Sequence, residues 1–446
     1  MTINKDIREE LKTGKLKIGV WGLGYIGFSS MAHFARAGIT SIGTDIHQVR
    51  IDDVNHGRVV MPNFEYWLGF DVKPLAMDRK MTATEKWKDL IKEEVAVHLV
   101  TIPTEKDGKP YHEIIKDVVT KLSSYKNLKP KHPPLVIIES TLTPTAADEI
   151  VIPLFKKNGL EVGKDILLGV APRRDWFTDN DKTLKTLPRV VGGTTPETTK
   201  LMAEVLGLVC NTIIPAHDHK HASIVKSIEN AYRQLDITFA NQLSLAYPDM
   251  DMASVLKMVG TKWNIGTYHP SFGTGGYCIP LAPQYVLEGA KHPENLTLLK
   301  ESLKTDFSQP QVIVDSILKR GAKKIAILGI AYTKDLKVHV LSPGVPIARE
   351  LKNKGCDVLV NDPYYSMEEI NKITGCDYLD FPNDLSDRDT IIIVANHMKY
   401  TYTNRQDIMK NIDNVTLILD NMGAWNEYKF PEHVKYFEAG NKNWLE

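Results

Sequence analysis

Three glycines at fixed spacing, Gly22-Leu23-Gly24-Tyr25-Ile26-Gly27, restrict the fold more than any other feature of the chain. The apolar run KIGVW precedes them, the helical pattern SSMAHFARAG follows, and a second apolar run, ITSIGTD, ends at Asp45. Strand, glycine turn, helix and strand in that order open a doubly wound parallel sheet that binds a dinucleotide. The three glycines serve different ends, namely a tight turn, close backbone approach to a pyrophosphate, and close packing of helix on strand. The helix N-terminus then offers amide donors and a partial positive charge to the phosphates. A lone glycine turn used only for packing is the alternative, and the surrounding strands and helix argue against it. Asp45 stands where an acid accepts hydrogen bonds from the adenosine ribose, which favours NAD over NADP; nearby Arg50 tempers that preference. Tyr25 and Ile26 in the turn, and Thr101 in VAVHLVTIP, complete the expected cofactor-binding set.

Short apolar runs continue to alternate with amphipathic segments: VAVHLVTIP, EIIKDVVTKLSSY, LVIIES. Near Ala216 the pattern changes to HASIVKSIENAYRQLDITFANQLSLA, a long helical period without glycine or proline. Alternation resumes at KKIAILG and runs through CDVLVNDP, DTIIIVAN and NVTLILD, with Ser342 as the expected N-cap of one helix and Pro343 in its first turn. The reading is an α/β protein. A Rossmann-type NAD-binding domain (1–213) leads through a central long-helix connector (214–310) to a Rossmann-like α/β domain (311–446). That last domain lacks the three-glycine spacing and is expected to hold a mononucleotide rather than a second dinucleotide.

Among 446 residues, 55 Lys plus Arg balance 55 Asp plus Glu, so no overall field favours nucleic acid or an anionic membrane. No apolar run approaches a membrane span, and the charged N-terminus has no secretory core, so a soluble, cytoplasmic protein is expected. Cys210, Cys278, Cys356 and Cys376 are scattered, without the short pairings of a zinc site, and no metal is expected.

Two further features carry possible chemistry. Lys226, Asn230 and Arg233 recur at i, i+4 and i+7 of the long helix and share one face. Such a triplet orients a polar ligand and stabilises an oxyanion, or is simply a solvated face. The loop FGTGGYCIPLAP places Cys278 after three glycines and ahead of Pro280 and Pro283, either of which suits the start of a helix. A thiolate there is a plausible nucleophile; a buried small hydrophobe is the bland alternative.

With these residues in view, the chain resembles the nucleotide-sugar 6-dehydrogenases of the UDP-glucose/GDP-mannose dehydrogenase family, most closely the UDP-N-acetylmannosamine branch. GLGYIG with Asp45 and Arg50 is similar to the family N-terminus, and IESTLTPTA to its ESTxxPGT stretch, with Thr141 at the active-site threonine. IVKSIENAYRQLDITFANQLS resembles the family's KxxxN helix, FGTGGYCIP its GxGGxCIP loop, and GIAYTKDLKVHVLSP its C-terminal nucleotide segment. The resemblance implies a homodimer and an NAD-dependent oxidation of the C6 alcohol of a UDP-sugar to a uronate, through a thiohemiacetal and thioester on Cys278. It casts Lys226, Asn230 and Thr141 as catalytic residues. Arg173, Arg233, Lys262, Phe272, Gly273, Gly275 and Lys334 become candidate substrate contacts, with Lys262 in place of an arginine from a neighbouring subunit.

The resemblance breaks at two acids. The aspartate of CxxxD is Ala282, with Leu281 in place of the preceding lysine, and the glutamate of the Pro-Glu segment is Arg173. Thr333 and Val340 stand at the Lys and Arg positions of the C-terminal motif, with Lys334 one place away. Loss of a positioned acid or base costs on the order of 10²–10⁴ in rate. Three readings follow: a working dehydrogenase with relocated acids, Asp175 being the nearest; an altered enzyme that does not release a uronate by ordinary hydrolysis; or a non-catalytic binder of NAD and nucleotide sugar. In the second, Arg173 meets a substrate that already carries an anion.

Overall fold

The computed structural model describes residues 3–59, 64–128, 130–174 and 181–446. The chain forms two compact units, Met1–Glu229 with Gln284–Lys291, and Asn230–Pro283 with His292–Glu446.

The first unit is built on eight strands: β1 (Lys17–Trp21), β2 (Ser41–Thr44), β3 (Met81–Thr84), β4 (Val95–Val100), β5 (Leu135–Ile138), β6 (Leu167–Val170), β7 (Arg189–Gly193) and β8 (Ile213–Pro215). They lie in the order β8-β7-β6-β5-β4-β1-β2-β3. Only β6 and β7 pair antiparallel among these neighbours. Every residue of β4 and β5 is buried, as expected where helices cover both sheet faces and strands read as continuous apolar runs. Strand order reverses between β1 and β4, and the C-terminal ends of the strands at such a switch point form the ligand crevice. Within this sheet His98 is fully buried. Its Nδ1 accepts from Trp21 Nε1 at 3.1 Å, so Nε2 carries the proton and donates to the Tyr125 hydroxyl at 3.0 Å. Burial holds the imidazole neutral, its pKa lowered to about 3.

The second unit carries a six-stranded, wholly parallel sheet: β9 (Lys324–Leu328), β10 (Asp357–Asn361), β11 (Asp377–Tyr378), β12 (Thr390–Ile393), β13 (Leu417–Asp420) and β14 (Lys435–Glu438). Its order, β11-β10-β9-β12-β13-β14, repeats that of the first sheet from β3 to β6. The first turns correspond as well. Gly22 (φ 91°) donates to Thr44 O at 2.9 Å, and Gly329 (φ 92°) to Asn361 O at 2.7 Å. Asp45 accepts from Leu23 N at 2.7 Å, while Asp362 accepts from Ile330 N at 2.9 Å and Ala331 N at 3.0 Å. Ile330 corresponds to Leu23, both fully buried, and fully buried Ala331 stands where the first unit has Gly24.

The expected long helix runs from His219 to Ala246, 28 residues. Ser342 differs from expectation. The helix Gly344–Asn353 has Pro343 at its N-cap, and the Ser342 hydroxyl accepts from Gly344 N at 3.3 Å from one residue further out. Among the described residues no helix is long and apolar enough to cross a membrane.

Candidate active site

In the first unit the glycine turn is shaped by contacts that a side chain would break. A Cβ on Gly22 would meet Thr101 O at 2.8 Å. One on Gly27 would lie 1.9 Å from Gly22 O and 2.6 Å from Thr101 Oγ1. The helix Tyr25–Arg36 therefore approaches the end of β1 only because residue 27 has no side chain. At Gly24 the nearest atom is Arg50 Nη1 at 3.9 Å, which leaves room in front of the bare backbone. A helix N-terminus with open space before its amides is what a pyrophosphate requires, so these residues fit a dinucleotide.

Asp45 ends β2 and does two things there. Its carboxylate accepts from Leu23 N at 2.7 Å and His47 N at 2.9 Å, and pairs with Arg50 at 3.3 Å. The Thr101 hydroxyl donates to Trp21 O at 2.9 Å and Gly22 O at 2.7 Å, so it braces the turn rather than reaching outward. Tyr25 and Ile26 are half-buried at the start of the helix. Burial pushes the Tyr25 phenol above its usual range, against an opposing pull from Arg50.

Thr141 follows β5 and is half-buried, its carbonyl accepting from Thr104 Oγ1 at 2.5 Å. Neighbouring Ser140 donates to Ile102 O at 2.7 Å. The Lys226 ammonium, on the long helix, donates to the Arg173 carbonyl. Arg174 donates to Glu229 at 3.1 Å and to Pro188 O at 2.8 Å, tying the helix to the segment after β6.

The Arg173 side chain turns inward, which corrects the expectation that it meets a substrate anion. It is 2% exposed. Its guanidinium donates to Ser29 Oγ at 2.9 Å, Ser30 Oγ at 2.6 Å and Ile26 O at 3.3 Å, and lies 3.7 Å from Glu139 Oε2. Arg189 meets the other Glu139 oxygen and donates to Ala171 O at 2.9 Å. Glu139, its side chain 0% exposed, also accepts from Ser30 Oγ at 2.7 Å. A carboxylate this deep is costly without counter-charge, and residue 173, just beyond the strand beside Glu139's own, supplies some of it. Glu139 and Arg189 were missed in the sequence; the only signal was an acid closing the apolar run LVIIES. Asp175 lies outside the described residues.

In the second unit Cys278 is exposed, whereas Cys376 is buried and Cys356 half-buried; Cys210, in the first unit, is buried. Cys278 occupies the turn that enters the helix Ala282–Glu288, and its carbonyl accepts from Ala282 N at 3.0 Å. Gly273 and Gly276 take positive φ, 126° and 83°. A Cβ on Gly275 would lie 2.4 Å from Tyr332 Cβ, so the loop lies against that residue. Two expected substrate contacts are corrected by this packing. Phe272 is 0% exposed and stacks on Trp444 at 6.1 Å, a core residue buried by the hydrophobic effect. Gly275 is buried, and its missing side chain makes room for Tyr332 rather than for a ligand. Gly273 borders a cavity of ≈ 690 Å³, lined also by Thr274, Val340, Ser342, Arg349 and Lys372. Lys262 and Lys334 are exposed, Arg233 is half-buried, and Asn230 is buried. Leu281 and Ala282, where the resemblance expects a lysine and an aspartate, are both buried, so apolar residues fill sites unsuited to unpaired charge.

Sheet order, glycine turn and strand-end acid define a dinucleotide-binding α/β protein of two units. The chain matches the UDP-glucose/GDP-mannose dehydrogenase family over its NAD binding domain (residues 16–208), central domain (220–306) and UDP binding domain (326–427). It is 30% identical over 413 residues to a UDP-N-acetyl-D-glucosamine 6-dehydrogenase of Pseudomonas aeruginosa, covering 89% of this chain and 94% of that one. It is 25% identical over 467 residues to a UDP-N-acetyl-D-mannosamine dehydrogenase of Methanococcus aeolicus, covering 100% and 99%. The fold is similar to the solved UDP-D-ManNAc dehydrogenase of Pyrococcus horikoshii, with a TM-score of 0.82, 22% identity, and coverage of 96% and 100%. The chain belongs to the UDP-glucose/GDP-mannose dehydrogenase family and is an oxidoreductase whose cofactor is NAD.

Proposed function

We propose that this chain is a nucleotide-sugar 6-dehydrogenase that oxidises the C6 hydroxymethyl of a UDP-sugar to a uronate, using Cys278 as nucleophile. The observation that carries the reading is the exposure of Cys278 at the end of a glycine loop fastened to its own unit. NAD supplies hydride acceptance, twice per sugar. The C6 alcohol gives up a hydride and a proton to become an aldehyde, and the Cys278 thiolate adds to its carbonyl carbon. The thiohemiacetal loses a second hydride and a proton, leaving a thioester. Water cleaves the C–S bond, releasing the carboxylate and restoring the thiol. Lys226 stabilises the oxyanions. Asn230, to hold a water or hydroxyl, and Thr141 are the remaining catalytic residues of this reading.

The nucleotide half is assigned to the cavity beside Gly273, where Arg349 and Lys372 suit a diphosphate. Exposed Tyr232 and Phe239, two turns apart on the long helix, support a homodimer, which light scattering tests. Four free thiols suit a reducing cytoplasm. A division into residues 1–213, 214–310 and 311–446 is retained as the functional layout.

A second reading is favoured by Ala282 being buried and by Arg173 being committed to Glu139. With no carboxylate at either position, hydrolysis is the step most exposed to loss, and the enzyme stops at partial oxidation or passes the thioester to another acceptor. Counting NADH released per sugar across UDP-glucose, UDP-N-acetylglucosamine and UDP-N-acetylmannosamine separates the readings. Two NADH with a uronate identified by mass spectrometry support the first reading; one NADH, or two without a uronate, supports altered chemistry. Tight binding of NAD and sugar without turnover refutes both and leaves a binding protein.

A further inference from the structure

The residues leading to Cys278 are anchored one after another. Ser271 N donates to Asn241 Oδ1 at 2.6 Å, Phe272 N to Asn421 Oδ1 at 2.8 Å, Thr274 N to Asp306 Oδ1 at 2.8 Å, and Gly276 N to Val340 O at 2.8 Å. Among these anchors Asp306 differs in kind, because it is ionisable. It is carried by the helix Thr297–Lys319 and is 4% exposed. One carboxylate oxygen takes the Thr274 amide and the other takes the Thr274 hydroxyl. No cation pairs with it among the described residues. A buried carboxylate without a counter-ion costs several kcal/mol unless hydrogen bonds offset it, and here the largest offset comes from a single loop residue. The loop needs such an anchor. Three glycines among four residues, Gly273, Gly275 and Gly276, surrender more backbone freedom on ordering than other residues would. A reacting group displaced by about 1 Å loses on the order of 10²-fold in rate.

We propose that Asp306 is a positioning residue for Cys278: its carboxylate holds Thr274 through amide and hydroxyl together and so sets the course of the four residues that lead to the thiol. The assignment rests on the reading of Cys278 as nucleophile. It differs from a general structural role in acting through one loop residue and not through the core.

The first test needs no sugar. Iodoacetamide labelling followed by mass spectrometry compares Cys278 with Cys356, the half-buried internal reference. In D306N and in T274V the Cys278 rate changes at least about threefold while Cys356 holds, and T274S, which keeps the hydroxyl, restores the wild-type rate. Hydrogen exchange rises over residues 272–280 and stays unchanged over β9 and β10. With whichever UDP-sugar releases NADH, D306N lowers kcat about 10- to 100-fold and leaves the KM for NAD within twofold. Equal changes at both cysteines, or exchange rising through the whole unit, overturn the proposal in favour of a merely structural role. D306N with wild-type kcat and labelling beside an inactive C278S overturns it while leaving the thiol reading intact. An active C278S beside an inactive D306N overturns it by removing the thiol from the chemistry.

Discussion

Neutralising Glu139 offers the sharpest test of how the first unit is held together. The carboxylate has no solvent exposure, and its two oxygens face Arg189 on one side and Ser30 with Arg173 on the other. Removing the charge leaves the Arg189 guanidinium buried against neutral partners, Ala171 O at 2.9 Å and the Cys210 thiol, while its Nε and Nη1 are already unpartnered. Breaking a buried pair by removing one member typically costs about 3–5 kcal/mol, because the remaining charge stays desolvated. In a unit of this size each kcal/mol moves the thermal midpoint by about 2–4 °C, so E139Q is expected to melt roughly 6–20 °C lower. Calorimetry gives the shift. Hydrogen exchange at β4 and β5, measured in parallel, separates loss of the first unit from unfolding of the second. Replacing all three charges together, as E139L with R173M and R189M, is expected to recover much of the loss, since the desolvation cost vanishes with the ions. A shift below about 1 kcal/mol for E139Q would falsify the claim that this cluster is a dry, charge-compensated unit.

The remaining predictions are shorter. Gly27→Ala places a methyl 1.9 Å from Gly22 O, and NAD affinity by calorimetric titration should fall more than about tenfold; an unchanged affinity would remove the turn from cofactor binding. Asp45→Ala removes a brace of the turn and the carboxylate expected to accept from the ribose, so NAD binding should weaken by on the order of 1–3 kcal/mol and NADP discrimination should narrow. Cys278→Ser should stop any sugar oxidation short of two NADH, and full stoichiometry in that variant would exclude the thiol. His98, with its folded pKa lowered to about 3 against 6.5 for the free side chain, contributes stability above pH 6.5 that is lost as pH falls toward 3, because the unfolded chain takes up the proton first. The full swing is about 5 kcal/mol, so urea titrations of His98→Gln should show a shallower loss of stability between pH 6 and 4 than wild type.

The glycine turn, Asp45, the long helix and the return of strand–helix alternation after it were legible because each is written in neighbouring residues. Spacing of three glycines, a 3.6-residue period and short apolar runs state local geometry directly. Cys278 stood out for the same reason, as one thiol set among glycines and prolines. The direction in which Arg173 points was not local. It depends on Glu139, 34 positions earlier, and on Ser29 and Ser30 in another element, and only the sheet order brings those groups together. Phe272 likewise reads as a loop aromatic until Trp444, far along the chain, is found stacked on it. Asp306 carries no signature in its helix and acquires a meaning only through Thr274. Sequence by itself determined which elements form and which residues carry reactive groups. The tertiary structure decided which polar side chains are committed inside, because burying a charge is tolerated only where distant partners converge on it.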